Sequence, residues 1–260
     1  MCAFVISEDD VKSIVRLLGE TAAVEGDHTE KKRFLIDGLC TLIEVDAWVW
    51  ALGCQIKPGG VQTYVGFMHG GLDPDRFSKL LLALEHPGSG EFAEKFYEKV
   101  NSSKQHVTML RDEIDVLNKA EQIEAGQYWR DADIGSLILS SKPLDQDSMS
   151  SIGLYRRVND TPFSNRDKKI AHIILSEVAW LHMLGWPENR GVKVPKLYPR
   201  QRIVLNLLLD GMVRKQIADQ MSITENTVSG YTKDIYRHFE VNSHVELMSK
   251  FLHGNLGDRD

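Results

Sequence analysis

Lys233 and Arg237 stand four residues apart in the stretch SITENTVSGYTKDIYRHF, residues 222–239. On a helix that spacing puts two cations on one side, one turn apart. Asn226, Ser229 and Gly230 fall on the same side, while Val228, Ile235 and Phe239, at spacings of seven and four, form an apolar stripe opposite. A helix with one small-polar and basic face suits the DNA major groove. Lys233 would donate to guanine O6 and N7, and Thr227 and Arg237 suit phosphate oxygens. Arg214 and Lys215, at the start of a preceding short helix, would hold the flanking backbone. Gly230 costs the helix roughly 1 kcal/mol relative to alanine. Either the backbone there must approach base edges closely, or Gly230 is a tolerated surface residue.

The neighbouring residues supply a frame for this helix. Pro199 occupies the first position of a helix whose apolar stripe is Ile203, Val204, Leu207 and Leu208. Gly211 is placed to end it as a C-terminal cap. Arg214 to Met221 reads as a short second helix, and Ser222, Ile223 and Thr224 as a turn, with Thr224 capping the third helix, which runs to about Phe239. NSHVELMSKFL gives a fourth from about Ser243. Two helices joined by so short a turn make the helix-turn-helix layout.

The sequence LYPRQRIVLNLLLDGMVRKQIADQMSITENTVSGYTKDIYRHFEVNSHVELMSKF, residues 197–251, resembles the LuxR-type helix-turn-helix DNA-binding domain. The resemblance is carried by Leu197, Pro199 and Arg200, Val204 and Leu205, Gly211, Lys215, Ile217 and Ala218, the ITENTV turn at 223–228, Ile235, Arg237, Val241 and Ser243. It implies an all-α four-helix head, a third helix that reads double-stranded DNA and a fourth that makes a dimer contact. The chain departs from the family at Tyr198, where Thr is usual, and at Gln201, where Glu is usual. It also has Ser229 in place of a base and Tyr231 in place of His. The first pair bears on a helix cap and a salt bridge. The loss of a base bears on general DNA affinity and sequence preference.

Charge separates the two parts of the chain. Residues 1–186 hold 20 Lys and Arg against 28 Asp and Glu, and residues 187–260 hold 11 against 9. Only the second part has the sign to meet a polyanion. GWPENRGVKVPK, 185–196, with two glycines and two prolines, reads as a linker. The expected domains are therefore 1–184, a linker at 185–196, and 197–260.

The first part reads as α+β. Helical spacing covers Ser7 to about Gly19 and Glu30 to about Ile43. AWVWALGCQI (47–56) and VQTYVGFM (61–68) are strand-like and flank KPGG, a hairpin signal. Helices are expected near 74–85, 91–100 and 110–119, and strands at 135–141 and 150–158. Residues 162–184 read as one long helix capped by Ser164. Helices on one face of an antiparallel sheet are the expected architecture.

Several input domains fit such a head. FVISEDD and LSSKPLD resemble pieces of a receiver, but more than 130 residues separate the lysine from the acidic pair, too many for that fold. Trp48, Trp50 and Tyr64 would line an acyl-homoserine-lactone pocket, or simply fill a core. TPFSNRDKKIAHIILSEVAWL resembles the exit helix of GAF-like regulators, so a GAF-like sensor and dimerisation domain is the expectation. Ile170, Ile173 or Ile174, Glu177, Leu181 and Leu184 recur at near-heptad spacing with Trp180 beside them, which predicts a homodimer through this helix.

No cofactor motif is present. His69, His86 and His106 lack the spacing of a metal or haem site and read as surface residues, and Cys54 as a small core residue. No enzymatic activity is expected; the alternative is an enzyme or a pure interaction module that gates the head. The three cysteines share no close spacing and fit a reducing cytoplasm. No run approaches the roughly 18 apolar residues of a spanning helix, and MCAFVISEDD has no basic n-region, so no membrane partner is expected. An unknown small molecule is the remaining expected ligand.

Overall fold

Ser7, Asp27 and Asp73 each lie just before a helix and accept from its first turn. They cap α1 (Glu8–Ala23), α2 (His28–Ile43) and α3 (Pro74–Glu85) in the computed structural model. In the first two, the cap backbone N–H donates in return to the acid three residues on, Asp10 and Glu30. The structure describes residues 6–54, 63–116, 124–144, 148–184, 199–209, 211–221 and 223–252. The KPGG hairpin, Ser222 and the linker lie outside them.

Between and after these helices come β1 (Ala47–Cys54), β2 (Thr63–Gly70), α4 (Pro87–Phe92), α5 (Glu94–Ser103), β3 (Val107–Leu110), α6 (Arg111–Ile114), α7 (Glu124–Asp131), β4 (Ser136–Pro143) and β5 (Ser148–Arg156). The strands form one antiparallel sheet of order β2-β1-β5-β4-β3. The α+β class read from the sequence is the class found.

The expectation of helices on one face needs correcting, because they cover both. In β1 successive side chains alternate between faces. Trp48 and Trp50 point to one side, with Ile138, Ile152 and Leu154, and pack on α1, α2 and the helix that follows β5. Ala47, Val49 and Ala51 point to the other, with Leu137 and Tyr155, and meet Phe77, Leu80, Leu81, Phe96 and Trp129. The cause is visible in the segment AWVWALGC, which is apolar at both parities, as strands buried on two faces are.

Two further differences matter. β3 falls where the sequence suggests the approach to a helix at 110–119. Four residues carry little periodicity, and the strand is defined by pairing of Val107–Leu110 with 138–141 of β4. The exit helix is also not continuous. It consists of α8 (Asn165–Glu177), capped by Ser164 as expected, and α9 (Ala179–Met183), with Val178 at φ −94°, ψ 40° between them. Ile170, Ile174 and Leu181 are buried in the chain's own core, so the near-heptad stripe is largely consumed internally. Trp180, Met183 and Leu184 remain exposed.

The head has the four helices expected: α10 (Pro199–Leu209), α11 (Arg214–Gln220), α12 (Glu225–His238) and α13 (His244–Leu252). Its core is Val204, Leu205, Leu207, Leu208, Ile217, Ala218, Val228, Ile235 and Leu247. His244 locks the last helix onto the first by bonding the Leu208 carbonyl at 2.8 Å. α10 packs against α3, and the Gln220 amide donates to the Pro74 carbonyl. Among the described residues no helix is long and apolar enough to cross a membrane.

Candidate DNA interface and a buried polar cluster

Gly211 has φ +80°, a conformation that lets α10 end and the chain turn toward α11. Thr224 caps α12 by accepting from the Thr227 N–H at 3.2 Å, and its hydroxyl also meets that of Thr227 at 2.9 Å. These two devices fix the angle at which α12 leaves the turn. Val228 and Ile235 are fully buried, while Phe239 is half-buried.

On the opposite side Asn226, Gly230, Lys233 and Arg237 are exposed, as are Arg214 and Lys215 on α11. A Cβ built on Gly230 would meet nothing within 4 Å, so no described residue requires glycine there. Thr227 and Ser229 are half-buried. The Arg214 guanidinium donates to the Ser229 hydroxyl at 3.0 Å, which joins the two helices of the motif on their outer face. Arg237 pairs with Asp234 at 3.2 Å, and Asp234 also accepts from the Gln201 amide at 3.2 Å. A glutamate at 201 would face Asp234 with like charge; the amide does not. The eight residues expected to meet DNA thus lie on α11 and α12, joined at their outer face by the Arg214–Ser229 bond.

The first domain holds a second set of polar groups that the sequence did not bring together. His106, expected at the surface, lies half-buried just before β3. Its Nε2 is 2.7 Å from the Ser140 hydroxyl, which lies 2.7 Å from that of Thr108, itself 3.0 Å from His172 Nδ1. The His182 ring stands 5.2 Å from that of His106 and bonds the Ser150 hydroxyl at 2.8 Å and the Leu175 carbonyl at 3.0 Å. Trp50 Nε1 donates to the same Ser150 hydroxyl at 2.7 Å. Burial pushes His106 down to about 2 and His182 to about 3, and lowers His172 as well.

Lys32, 1% exposed on α2, completes the cluster. Its ammonium donates to the Leu184 carbonyl at 2.8 Å and lies 4.9 Å from the centre of the Trp50 ring. Burial lowers its pKa from 10.5 to about 7. Apart from Leu175, seven residues before His182, the partners of these groups lie tens of residues apart in the chain, so no local motif signals them. His69 instead stacks on Phe77, and His86 accepts from the Gly88 N–H. Among the described residues no group of three or more His, Cys, Asp or Glu is arranged for a metal ion.

Hollows flank the sheet among the described residues, and two are distinguished by their lining. The larger, about 440 Å³, opens between β3 and α8 and is lined in part by Lys99, His106, Lys168, Lys169 and His172. The smaller, about 30 Å³, lies on the other face among Val49, Ala51, Phe96, Tyr97 and Tyr155. Trp48 and Trp50 border neither; they are core residues on the face that carries Lys32.

Residues 195–251 match the family of bacterial regulatory proteins, luxR family. The head is thus a LuxR-type helix-turn-helix domain. No curated protein matches the chain. Similar solved structures include SdiA in complex with octanoyl-rac-glycerol, 13% identical, with 96% of this chain and 97% of that one covered at a TM-score of 0.48. A crystal structure of Escherichia coli SdiA is 14% identical, with 95% and 99% covered at 0.47. The VqsR ligand-binding domain of Pseudomonas aeruginosa is 14% identical, with 67% and 92% covered at 0.42. These overlays are loose.

Proposed function

We propose that the chain is a cytoplasmic transcriptional regulator. Residues 1–184 control the DNA affinity of residues 197–260 through the linker at 185–196. The observation that carries this reading is the outer face of α12 within a LuxR-family head. There Asn226, Gly230, Lys233 and Arg237 stand exposed opposite the buried Val228 and Ile235. Lys233 takes the base-reading role, Gly230 gives close approach, and Arg214, Lys215, Thr227, Ser229 and Arg237 position the backbone. Sequencing of the duplex DNA retained by the full-length protein from a random pool tests it. An enriched motif is expected, and retention without sequence preference would overturn the specific-binding role.

The working unit is a homodimer. With most of the near-heptad stripe spent on the intrachain core, the surface left for a partner is Trp180, Met183 and Leu184 at the end of the exit segment. Each is already more than half buried in the monomer, so covering the rest is worth roughly 1 kcal/mol apiece, and the interface needs α13 as well.

A further inference from the structure

We propose that the hollow between β3 and α8 binds a small molecule through a phosphate or carboxylate group. Its volume of about 440 Å³ is within the roughly 300–1,000 Å³ range of small-molecule sites. The charged residues that line it are three lysines, Lys99, Lys168 and Lys169. Asn165 brings the first turn of α8 to the same rim, where the partial positive charge of the helix end favours an anion. Lys168 is steadied by Glu113 at 2.5 Å; Lys99 is exposed, and its charge also acts on Glu113, though its ammonium makes no hydrogen bond or salt bridge among the described residues.

The wall of the hollow adds a directed donor. The row His106 Nε2, Ser140 Oγ, Thr108 Oγ1, His172 Nδ1 has one proton for each link, and it can run in either direction. His106 Nδ1 is buried and has no hydrogen-bond partner among the described residues. A bare N–H is the worse group to leave unpaired there, since buried donors are rarely orphaned. The row therefore runs from His106 toward His172. His172 accepts at Nδ1 and carries its proton on Nε2, as a neutral donor among the lysines. Three lysines and an imidazole N–H line the same hollow, and such a set of donors is the chemistry of an oxyanion site.

The site lies on α8, which leads through α9 toward the head, so it deepens the sensor part of the proposed function. Its consequence rests on that reading; the binding itself does not. Full-length protein titrated calorimetrically with inorganic phosphate, pyrophosphate and citrate, at matched ionic strength, tests it. Pyrophosphate or citrate is expected to bind and to move the His172 and His106 ring-nitrogen resonances while leaving those of His28 in place. Whichever of the two binds more tightly identifies the group. Lys99→Glu, at an exposed position, should weaken that binding at least tenfold with the fold unchanged by circular dichroism. No binding of any probe, or equal binding by the variant, would overturn the site. Binding that leaves DNA affinity unaltered would keep the site and reject the sensor reading.

Discussion

The Arg214 guanidinium crosses from the first turn of α11 to the Ser229 hydroxyl on α12, 3.0 Å away. The bond is exposed, so it contributes little to stability; its effect is to aim a cation. Ser229→Ala should change the unfolding free energy of the head by less than about 0.5 kcal/mol. It should nevertheless weaken DNA binding on specific and scrambled duplexes alike. Equal binding with a clear loss of stability would show that the contact is structural.

Lys233 and Arg237 separate base reading from charge. Lys233→Ala should cost about 1–3 kcal/mol at the preferred site and relax preference at one position. Arg237→Ala should weaken all duplexes equally and reduce the salt slope by about one unit. Gly230→Val has open space around it. The free head should keep or gain stability while its binding weakens or is redirected. Titrations at several salt concentrations decide among these outcomes.

Acid should destabilise the first domain earlier than its carboxylates alone require. His106 and His182 stay neutral when folded, at about 2 and 3 against an ordinary imidazole value of 6.5. The unfolded chain therefore binds more protons than the folded one, and stability falls as pH drops below 6.5 toward those values. Near pH 5, unfolding should take up about two protons from this pair, and His106→Gln should lower that by about one. Urea midpoints across the pH range measure the slope. A flat profile between pH 7 and about 4 would contradict the burial of these rings.

Lys32 makes the opposite end of the pH range informative. Its folded pKa is depressed to about 7 from 10.5, so the unfolded state again binds the extra proton. Stability contributed by this position rises from about pH 7 to 10.5. Lys32→Met should remove that rise and leave the protein as stable or more so at neutral pH, because a buried charge is costly. A large loss of stability instead would mean that the bonds of the ammonium, including that to the Leu184 carbonyl, outweigh its desolvation.

Trp180→Glu tests the dimer surface. Trp180 is 40% exposed and belongs to no buried core, so the variant should fold. Sedimentation should show the parent as a dimer and the variant shifted toward monomer at tens of micromolar. Identical behaviour of the two would place the interface elsewhere.

The head was legible because its determinants are local. Thr224 caps from a fixed offset, Gly211 marks a left-handed end, and Val228 and Ile235 keep helical spacing. The first domain was legible only to its class. That both faces of the sheet are buried follows from β1 being apolar at both parities, a cue that a one-faced sheet does not predict. β3 is defined by pairing with β4, a partner some thirty residues on. The break at Val178 has no proline or glycine to announce it. The histidine and lysine cluster depends on residues such as Lys32 and Leu184, 152 positions apart, which meet only in the folded chain.

The interruption at Val178 limits what the exit segment can transmit. An unbroken helix from Ser164 to Leu184 would act as a stiff shaft and pass torque from the sheet to the head. Two pieces that change direction at one residue, tied across it by the bond from the His182 ring to the Leu175 carbonyl, are not such a shaft. The outgoing end is moored instead, with the Leu184 carbonyl held from inside by the Lys32 ammonium. A signal leaving this domain would then travel as the tightening or slackening of a tether, and the buried amine is its cleat.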